Sequence, residues 1–411
     1  MLPLLKAQPR LKDGYAARIF ADQPPGPADI WIQAASAGEA YLAISLIKNL
    51  PADRNLRILI STNTRQGMDI LSKAVNQTTL RSSHPDVMLT FFPFDQPVIM
   101  DRAVRMIKPK VMVLLESELW PGLLAALRRH NCRILIVNGR MTPKSVSRYR
   151  LLPNLWKTLA PDSVLAISKD DAARFATLFG QGRVEVMRNI KFDGLRLDAD
   201  FAESTRRIRK ILPGGDGFLA LGSIRQEEEA DVFRMIDVIH RHFPDFVIGL
   251  FPRHMHRLNA CQQYLADNGK KWTFRSALAE DAPATPGMVV LWDTFGELSA
   301  AYDSARAVFV GGSLAHLGGQ NFLEPLMNGV VPVIGPSWEN FHWIGTEVFT
   351  ENLVRKARDW RTASAELIKL IEAPLPREEI RKRAAEYIRK RQGGTEQACD
   401  RILQVLDGKY S

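Results

Sequence analysis

Short apolar runs, each closed by Gly, Ser, Asn, Glu or Pro and followed by a helical pattern, recur along the whole chain. Runs of this length read as buried strands, and their alternation with helices predicts doubly wound parallel α/β architecture. The first series of expected strands covers 30–35, 56–60, 87–92, 111–115, 134–137, 164–167 and 184–186. A second series covers 218–221, 246–251, a weak run near 272–275, 289–291, 307–310 and 330–334. Between them lie a charged helix over 203–210 and Pro213-Gly214-Gly215, a break in the pattern that marks a boundary. The expected domains are therefore 1–205 and 206–375. A tail over 376–411 reads as two charged amphipathic helices, expected to pack back on the first domain.

Charge is distributed unevenly. The net charge is +10 over 411 residues. Residues 1–200 hold 28 Lys/Arg against 18 Asp/Glu, whereas residues 201–411 hold 27 of each. All the excess lies in the first half, which points to an anionic partner there. Three well-separated cysteines, Cys132, Cys261 and Cys399, do not make a disulfide framework and suggest a reducing compartment. No run of about 20 apolar residues is present to span a bilayer. A protein that is soluble, or at most peripheral to a membrane through residues 1–10 and the basic first half, is the expectation.

In open α/β sheets ligands meet the loops at the carboxyl ends of strands, so those loops carry the chemistry. The first is Ser36-Ala37-Gly38-Glu39, where a carboxylate opens a helix and is placed to act as a general base. The fourth is Glu116-Ser117-Glu118, whose alternating carboxylates face different sides of a strand end. Basic residues follow the fifth strand, namely Arg140, Lys144, Arg148 and Arg150. In the second half, Arg253 follows a strand and suits a phosphate. Gly311-Gly312-Ser313 and Gly318-Gly319 precede an expected helix over 320–328, with free N–H groups at its start to favour an anion. Asn321 and Glu324, three apart, would share one side of its first turn and suit sugar hydroxyls. For each of these positions an ordinary helix-start acid or surface ion pair is the competing reading.

Several chemistries are set aside by motif. No Cys/His cluster has zinc spacing, no G-x-x-x-x-G-K-[ST] loop or G-x-G-x-x-G after the first strand occurs, and there is no G-x-S-x-G elbow. Neither a nucleic-acid recognition motif nor an aromatic strand platform is present. Two α/β domains, with a base in one and an anion site in the other, suggest an enzyme that joins an activated donor to an acceptor.

The strings WIQAASAGEA, STNT, FPFD, ESELWP, VNGRMTPKS, PRHMHR, DTFGEL, GGSLAHLGGQNFLEP and ENFHWI, in unbroken order from Trp31 to Ile344, resemble the 3-deoxy-D-manno-octulosonic acid (Kdo) transferases of lipopolysaccharide synthesis. The resemblance implies the GT-B fold, two Rossmann-like domains facing a central cleft. It implies inverting, metal-independent transfer of Kdo from CMP-Kdo to a lipid A precursor, with no cofactor, at the cytoplasmic face of the inner membrane. Glu39 then matches the general base, and Glu116 and Glu118 a second acidic motif. Ser36, Gly38, Arg140, Arg253, Ser313, Gly319, Asn321 and Glu324 fall at expected substrate-binding positions. The chain departs from the family at Gln33, Arg225 and Gln320, each standing where the family has histidine. The family's hydrophobic N-terminal anchor is not expected of residues 1–29. Two alternatives stay open: a diverged paralogue using another CMP-activated acidic sugar or acceptor, and a non-catalytic protein that binds anionic lipid or glycan.

Overall fold

Strand β1 (Ile30–Ala34) is buried along its whole length, as are β2 (Ile58–Thr62) and β4 (Val111–Leu115). Strands apolar on both faces must be covered on both, and that requirement selects a parallel sheet between two helical layers. In the computed structural model, which describes residues 13–20, 25–76, 86–195, 202–212 and 217–409, this is the arrangement found. The remaining strands of the first sheet are β3 (Val87–Phe91), β5 (Arg133–Gly139), β6 (Ser163–Ala166) and β7 (Val184–Val186). Their order is β3-β2-β1-β4-β5-β6-β7, all parallel. A second seven-stranded sheet contains β8 (Phe218–Ile224), β9 (Val247–Pro252), β10 (Trp272–Phe274), β11 (Val289–Leu291), β12 (Ala307–Val310), β13 (Pro332–Ile334) and β14 (Arg355–Lys356). It runs β10-β11-β9-β8-β12-β13-β14, again all parallel.

The chain divides into two compact units. One holds Met1–Leu195 with Arg391–Ser411, and the other holds Arg196–Lys390. The expected tail is shared between them: the helix Arg377–Arg389 belongs to the second unit and Gly394–Leu406 to the first. The latter helix buries Ala398, Cys399, Ile402 and Val405 in the same apolar layer as Ile32, Ile60 and Val113. The opposite face of that sheet is closed by Trp31, Met112, Leu123, Leu127 and Phe175. All three cysteines are free and buried.

In each sheet the order reverses about a central pair. Chains leave β1 and β4, or β8 and β12, toward opposite faces, and the crevice opened at the carboxyl ends of such a pair is where ligands bind in this architecture. That topological fact places the loops after β1, β4, β8 and β12.

Local structure departs from expectation in places. The helix expected over 320–328 shrinks to Leu323–Met327, so Asn321 lies outside it and shares no helical face with Glu324. The reason is the positive φ of Gly318 and Gly319, 83° and 80°, which keeps the chain in a turn through this stretch. Strand β14, two residues long, and the helix Tyr15–Arg18 are additional to the expected set. Residues 1–10 and Pro213-Gly214-Gly215, to which membrane contact and a linker were assigned, lie outside the described residues. Among the described residues no helix is long and apolar enough to cross a membrane.

The start of the Gly394–Leu406 helix is held by a distant acid. Asp193 Oδ1 accepts from the Gly393 N–H at 2.7 Å, and its Oδ2 accepts from the N–H and hydroxyl of Thr395, both at 2.6 Å. Losing such a cap costs about 1–2 kcal/mol, and each kcal/mol lowers the melting temperature of a unit this size by roughly 2–4 °C. Asp193→Ala is therefore expected to melt a few degrees lower, with faster amide exchange over 394–406. An unchanged melting temperature and exchange pattern would show that the cap carries no weight.

Candidate functional site

The first unit gathers its acids at the β1/β4 crevice. Ser36 caps the helix Ala37–Asn49: its Oγ accepts from the Glu39 N–H at 3.3 Å and donates to Glu39 Oε1 at 2.9 Å. The Ala35 N–H donates to Glu39 Oε2 at 2.8 Å. This reciprocal cap fixes the carboxylate over the strand end, where only 7% of the residue is exposed. Burial pushes the Glu39 carboxyl up to about 7; the nearby charges of Glu118 and Glu116 push the same way, against the Ala35 and Ser36 hydrogen bonds. Gly38 beside it is exposed, and a Cβ there would meet only Ser36 Oγ at 3.8 Å. Packing of the chain therefore does not demand a glycine, whereas the close approach of a ligand would.

Glu118 and Glu116 part company as their alternation predicts. Glu118 Oε2 accepts from Trp120 Nε1 at 2.6 Å, and Gln33 donates to the same carboxylate. Burial nonetheless pushes the Glu118 carboxyl upward. Glu116 takes a left-handed backbone, φ 56°, and its Oε1 accepts from Lys191 Nζ at 2.7 Å. The Arg140 N–H reaches the Glu116 carbonyl at 3.4 Å, and among the described residues the Arg140 guanidinium has no partner. Behind them runs a buried relay. Trp31 Nε1 donates to Ser61 Oγ at 2.7 Å, Ser61 Oγ donates to Gln33 Oε1 at 2.5 Å, and Gln33 Nε2 donates to Asn63 Oδ1 at 3.0 Å. Gln33 is fully buried, and its amide orientation is set by these neighbours.

In the second unit the strand-end loops after β8, β9, β12 and β13 share one edge. Arg253, exposed after β9, is held by its N–H on the Ile224 carbonyl at 2.7 Å, and its guanidinium has no partner among the described residues. Glu324 is half-buried, hydrogen-bonded by Ser299 and near the buried Tyr302; burial pushes its carboxyl upward. Asn321 is exposed, and its Oδ1 accepts from the Leu323 N–H at 3.2 Å. Gly319 is required by backbone: its φ is 80°, and a Cβ would sit 3.1 Å from the Trp338 Cα.

The amides expected to be free for an anion are not free. Glu228, 2% exposed, accepts from the N–H groups of Gly312, Ser313 (3.1 Å), Leu314 (3.1 Å) and Arg225 (3.0 Å). A side-chain carboxylate of the protein is the anion this turn takes. Ser313 turns inward as well. Its hydroxyl donates to the Val310 carbonyl at 2.6 Å and accepts from the Gly335 N–H at 2.8 Å, tying the ends of β12 and β13. Asp293 accepts from Ser276, and Glu297 from Arg275, Arg207, Trp292 and Thr294, so the DTFGEL loop is fastened by its own acids.

The sequence reading thus brings Ser36, Gly38, Glu39, Glu116, Glu118 and Arg140 to one crevice. It brings Arg253, Ser313, Gly319, Asn321 and Glu324 to one sheet edge in the other unit. It missed Lys191, Gln33 as a carboxylate partner, and Glu228. A signal existed for Lys191, since Ile190 and Phe192 on either side are apolar in an otherwise polar loop and both are buried.

Two parallel doubly wound units with acids and, among the described residues, partnerless arginines at strand ends have the α/β architecture of GT-B glycosyltransferases. A solved structure of a glycosyltransferase from Rickettsia africae ESF-5 has this fold, with TM-score 0.62 and 10% identity over 92% of this chain and 99% of that one. Residues 10–194 match the family described as 3-deoxy-D-manno-octulosonic-acid transferase. The 3-deoxy-D-manno-octulosonic acid transferase of Bordetella pertussis is 29% identical over 393 residues, 93% of this chain and 88% of that protein. A bifunctional glycosyltransferase/methyltransferase of Fusobacterium nucleatum is 30% identical over 329 residues, 79% of this chain, which spans about half (50%) of that protein. Over most of its length the chain is thus similar to Kdo transferases, at the identity of diverged relatives.

The raised Glu39 carboxyl has a stability consequence with a definite sign. The folded state holds this proton more tightly than the unfolded chain does, so the stability it contributes is full below about pH 4.5. It is lost as pH rises to about 7 and changes no further above that. At about 1.4 kcal/mol per unit the loss is about 3 kcal/mol. Glu39→Gln is therefore expected to be the more stable protein at pH 8, with an advantage that shrinks toward pH 4.5. Denaturant titrations of the pair at several pH values check this, and an advantage independent of pH would contradict it.

Proposed function

We propose that this protein transfers Kdo from CMP-Kdo to a hydroxyl of a lipid A-type acceptor in lipopolysaccharide biosynthesis, with inversion at the anomeric carbon and without a metal ion. The observation that carries the reading is Glu39: a capped, buried carboxylate whose proton affinity lies near neutrality, beside a glycine that leaves room for a ligand. In this reading the acceptor oxygen forms the new bond to the anomeric carbon as its proton passes to Glu39. The bond to the phosphate breaks, and its electron pair leaves with CMP. Arg253 meets the charge that grows on the phosphate, the task a metal would otherwise have. Asn321 and Glu324 serve the nucleotide sugar's hydroxyls, while Ser313 and Gly319 shape the turn that carries them. Ser36 orients the base, and Arg140, Glu116 and Glu118 serve the substrate and the base in the first unit.

The acceptor's location also has support in the first unit. Leu151 and Leu152 are 78% and 58% exposed, and Arg148, Arg150 and Lys157 around them are exposed too. Apolar side chains ringed by cations suit the surface of an anionic bilayer. This patch supports a peripheral position on a membrane surface, and the family resemblance suggests the cytoplasmic face of the inner membrane. A second reading, transfer of another CMP-activated acidic sugar or to another acceptor, is favoured by Gln33. This amide stands in the family's histidine position with every hydrogen bond to neutral groups or to Glu118. Product analysis with a panel of CMP-sugars separates the two.

Glu39→Ala is expected to lower turnover of CMP-Kdo with a lipid A precursor by 10²-fold or more, on the order of a general base's contribution, while CMP binding persists. The wild-type rate should rise with pH through a midpoint near 7. Wild-type-like turnover of the variant would remove Glu39 as base. Leu151→Glu with Leu152→Glu is expected to abolish sedimentation with anionic vesicles without changing CMP binding. Retained sedimentation would move the membrane surface elsewhere.

A further inference from the structure

Three carboxylates, Glu39, Glu116 and Glu118, act on one another at the β1/β4 crevice, and Lys191 pairs with one of them. The lysine is 75 residues distant from Glu116 in sequence, and its place is built. The Ile190 N–H donates to Asn138 Oδ1 at 3.0 Å, the Lys191 N–H donates to Asn189 Oδ1 at 3.0 Å, and Ile190 and Phe192 are buried on either side. Asn138 itself sits in the left-handed region at φ 57°. Glu116 does so as well, an unusual backbone for a long side chain and one that must be held by its surroundings. Side-chain exposure of the pair is 28% for Lys191 and 20% for Glu116, so water screens it incompletely.

We propose that Lys191 is a positioning residue for the reaction: its ion pair with Glu116 offsets one of the two negative charges near Glu39 and so sets the pH at which Glu39 is ready to accept a proton. The inference rests on the transferase reading above and adds to it a residue and a control of pH dependence. Other charged groups on the elements packed against the Glu39 helix are exposed to water or already engaged. The helix Arg65–Asn76 brings Arg65, paired with Asp69, and the exposed Lys73. The helix Gly394–Leu406 brings the exposed Glu396 and Asp400, with Arg401 paired to Glu185. β1 brings the neutral Gln33. Tyr149 lies within reach of the charges of Glu118 and of Arg148. Removing the Lys191 ammonium leaves Glu116 uncompensated, and like charge makes Glu39 hold its proton to higher pH.

The test is the pH profile of kcat/KM for wild type, Lys191→Met, Lys191→Arg, Glu116→Gln and the double variant Lys191→Met with Glu116→Gln. In Lys191→Met the rising limb is expected to move up by about one pH unit, a shift of the size one nearby charge produces. Its rate at pH 7 should fall roughly tenfold and recover by pH 9. Lys191→Arg should keep the wild-type limb, Glu116→Gln should move it down, and the double variant should return it close to wild type. A merely structural lysine would lower the rate at every pH and leave the midpoint in place, and that result would overturn the proposal. So would a double variant that keeps the alkaline shift. The Glu39 carboxyl is also followed without substrate, by ¹³C NMR titration of the same variants. The NMR shift seen in a protein without transfer activity would uphold the control of Glu39 by Lys191 and sink the transferase reading. An NMR midpoint that does not move would sink the inference alone. Should Lys191→Met fail to fold, the downward NMR shift expected of Glu116→Gln decides the matter by its presence or absence.

Discussion

A parallel sheet sends every strand out at the same edge, and the reversal of strand order about a central pair opens a crevice there. In this protein that geometric constraint is applied twice, about β1/β4 and about β8/β12. It explains why residues as far apart in sequence as Glu39, Glu116 and Lys191 converge. Helices cover both faces, so the strands are free to be wholly apolar, and the polar residues of each unit's site are confined to the few positions where strands end. The site is made of loops, but loops clamped by rigid strands on one side and helix caps on the other. Ser36 caps a helix and orients Glu39 with the same oxygen.

Much of this was legible because strand and turn carry different residue types. Strands β4, β7, β11 and β12 fall at their expected positions, since a short apolar run closed by a polar or glycine turn has few other solutions. The carboxylates and arginines were legible for the same reason, as polar residues at the ends of apolar runs. What was not legible depends on contacts distant in sequence. Nothing in the string around Glu228 says that its carboxylate reaches Gly312, 84 residues on. Periodicity cannot show that the Ser313 hydroxyl is used to tie β12 to β13. The length of the Leu323–Met327 helix was misjudged because a helix is bounded by backbone, and the positive φ of Gly318 and Gly319 is a consequence of tertiary fit.

Glu39 and Glu228 show how one residue type at equivalent places is given different partners. Each is a nearly buried glutamate beside the turn leaving a sheet's central pair. Glu228 accepts from four backbone amides, so its lone pairs are taken and its charge is dispersed into the turn after β12. Burial pushes its carboxyl upward against these four donors, and its task is to hold the turn together. Glu39 accepts from one amide and one hydroxyl and faces two further carboxylates. Burial, together with those neighbouring carboxylates, raises its affinity for a proton against the two hydrogen bonds. Removing donors from a carboxylate costs folding stability and gains basicity near neutral pH. Glu39 is the acid placed beside the exposed Gly38, while the neighbouring acids are each given a partner, Trp120 and Gln33 for Glu118 and Lys191 for Glu116. A cluster of three equally starved carboxylates would hold protons collectively, and none would serve as a base at a defined pH. Unequal satisfaction is therefore what allows one member of the cluster to work.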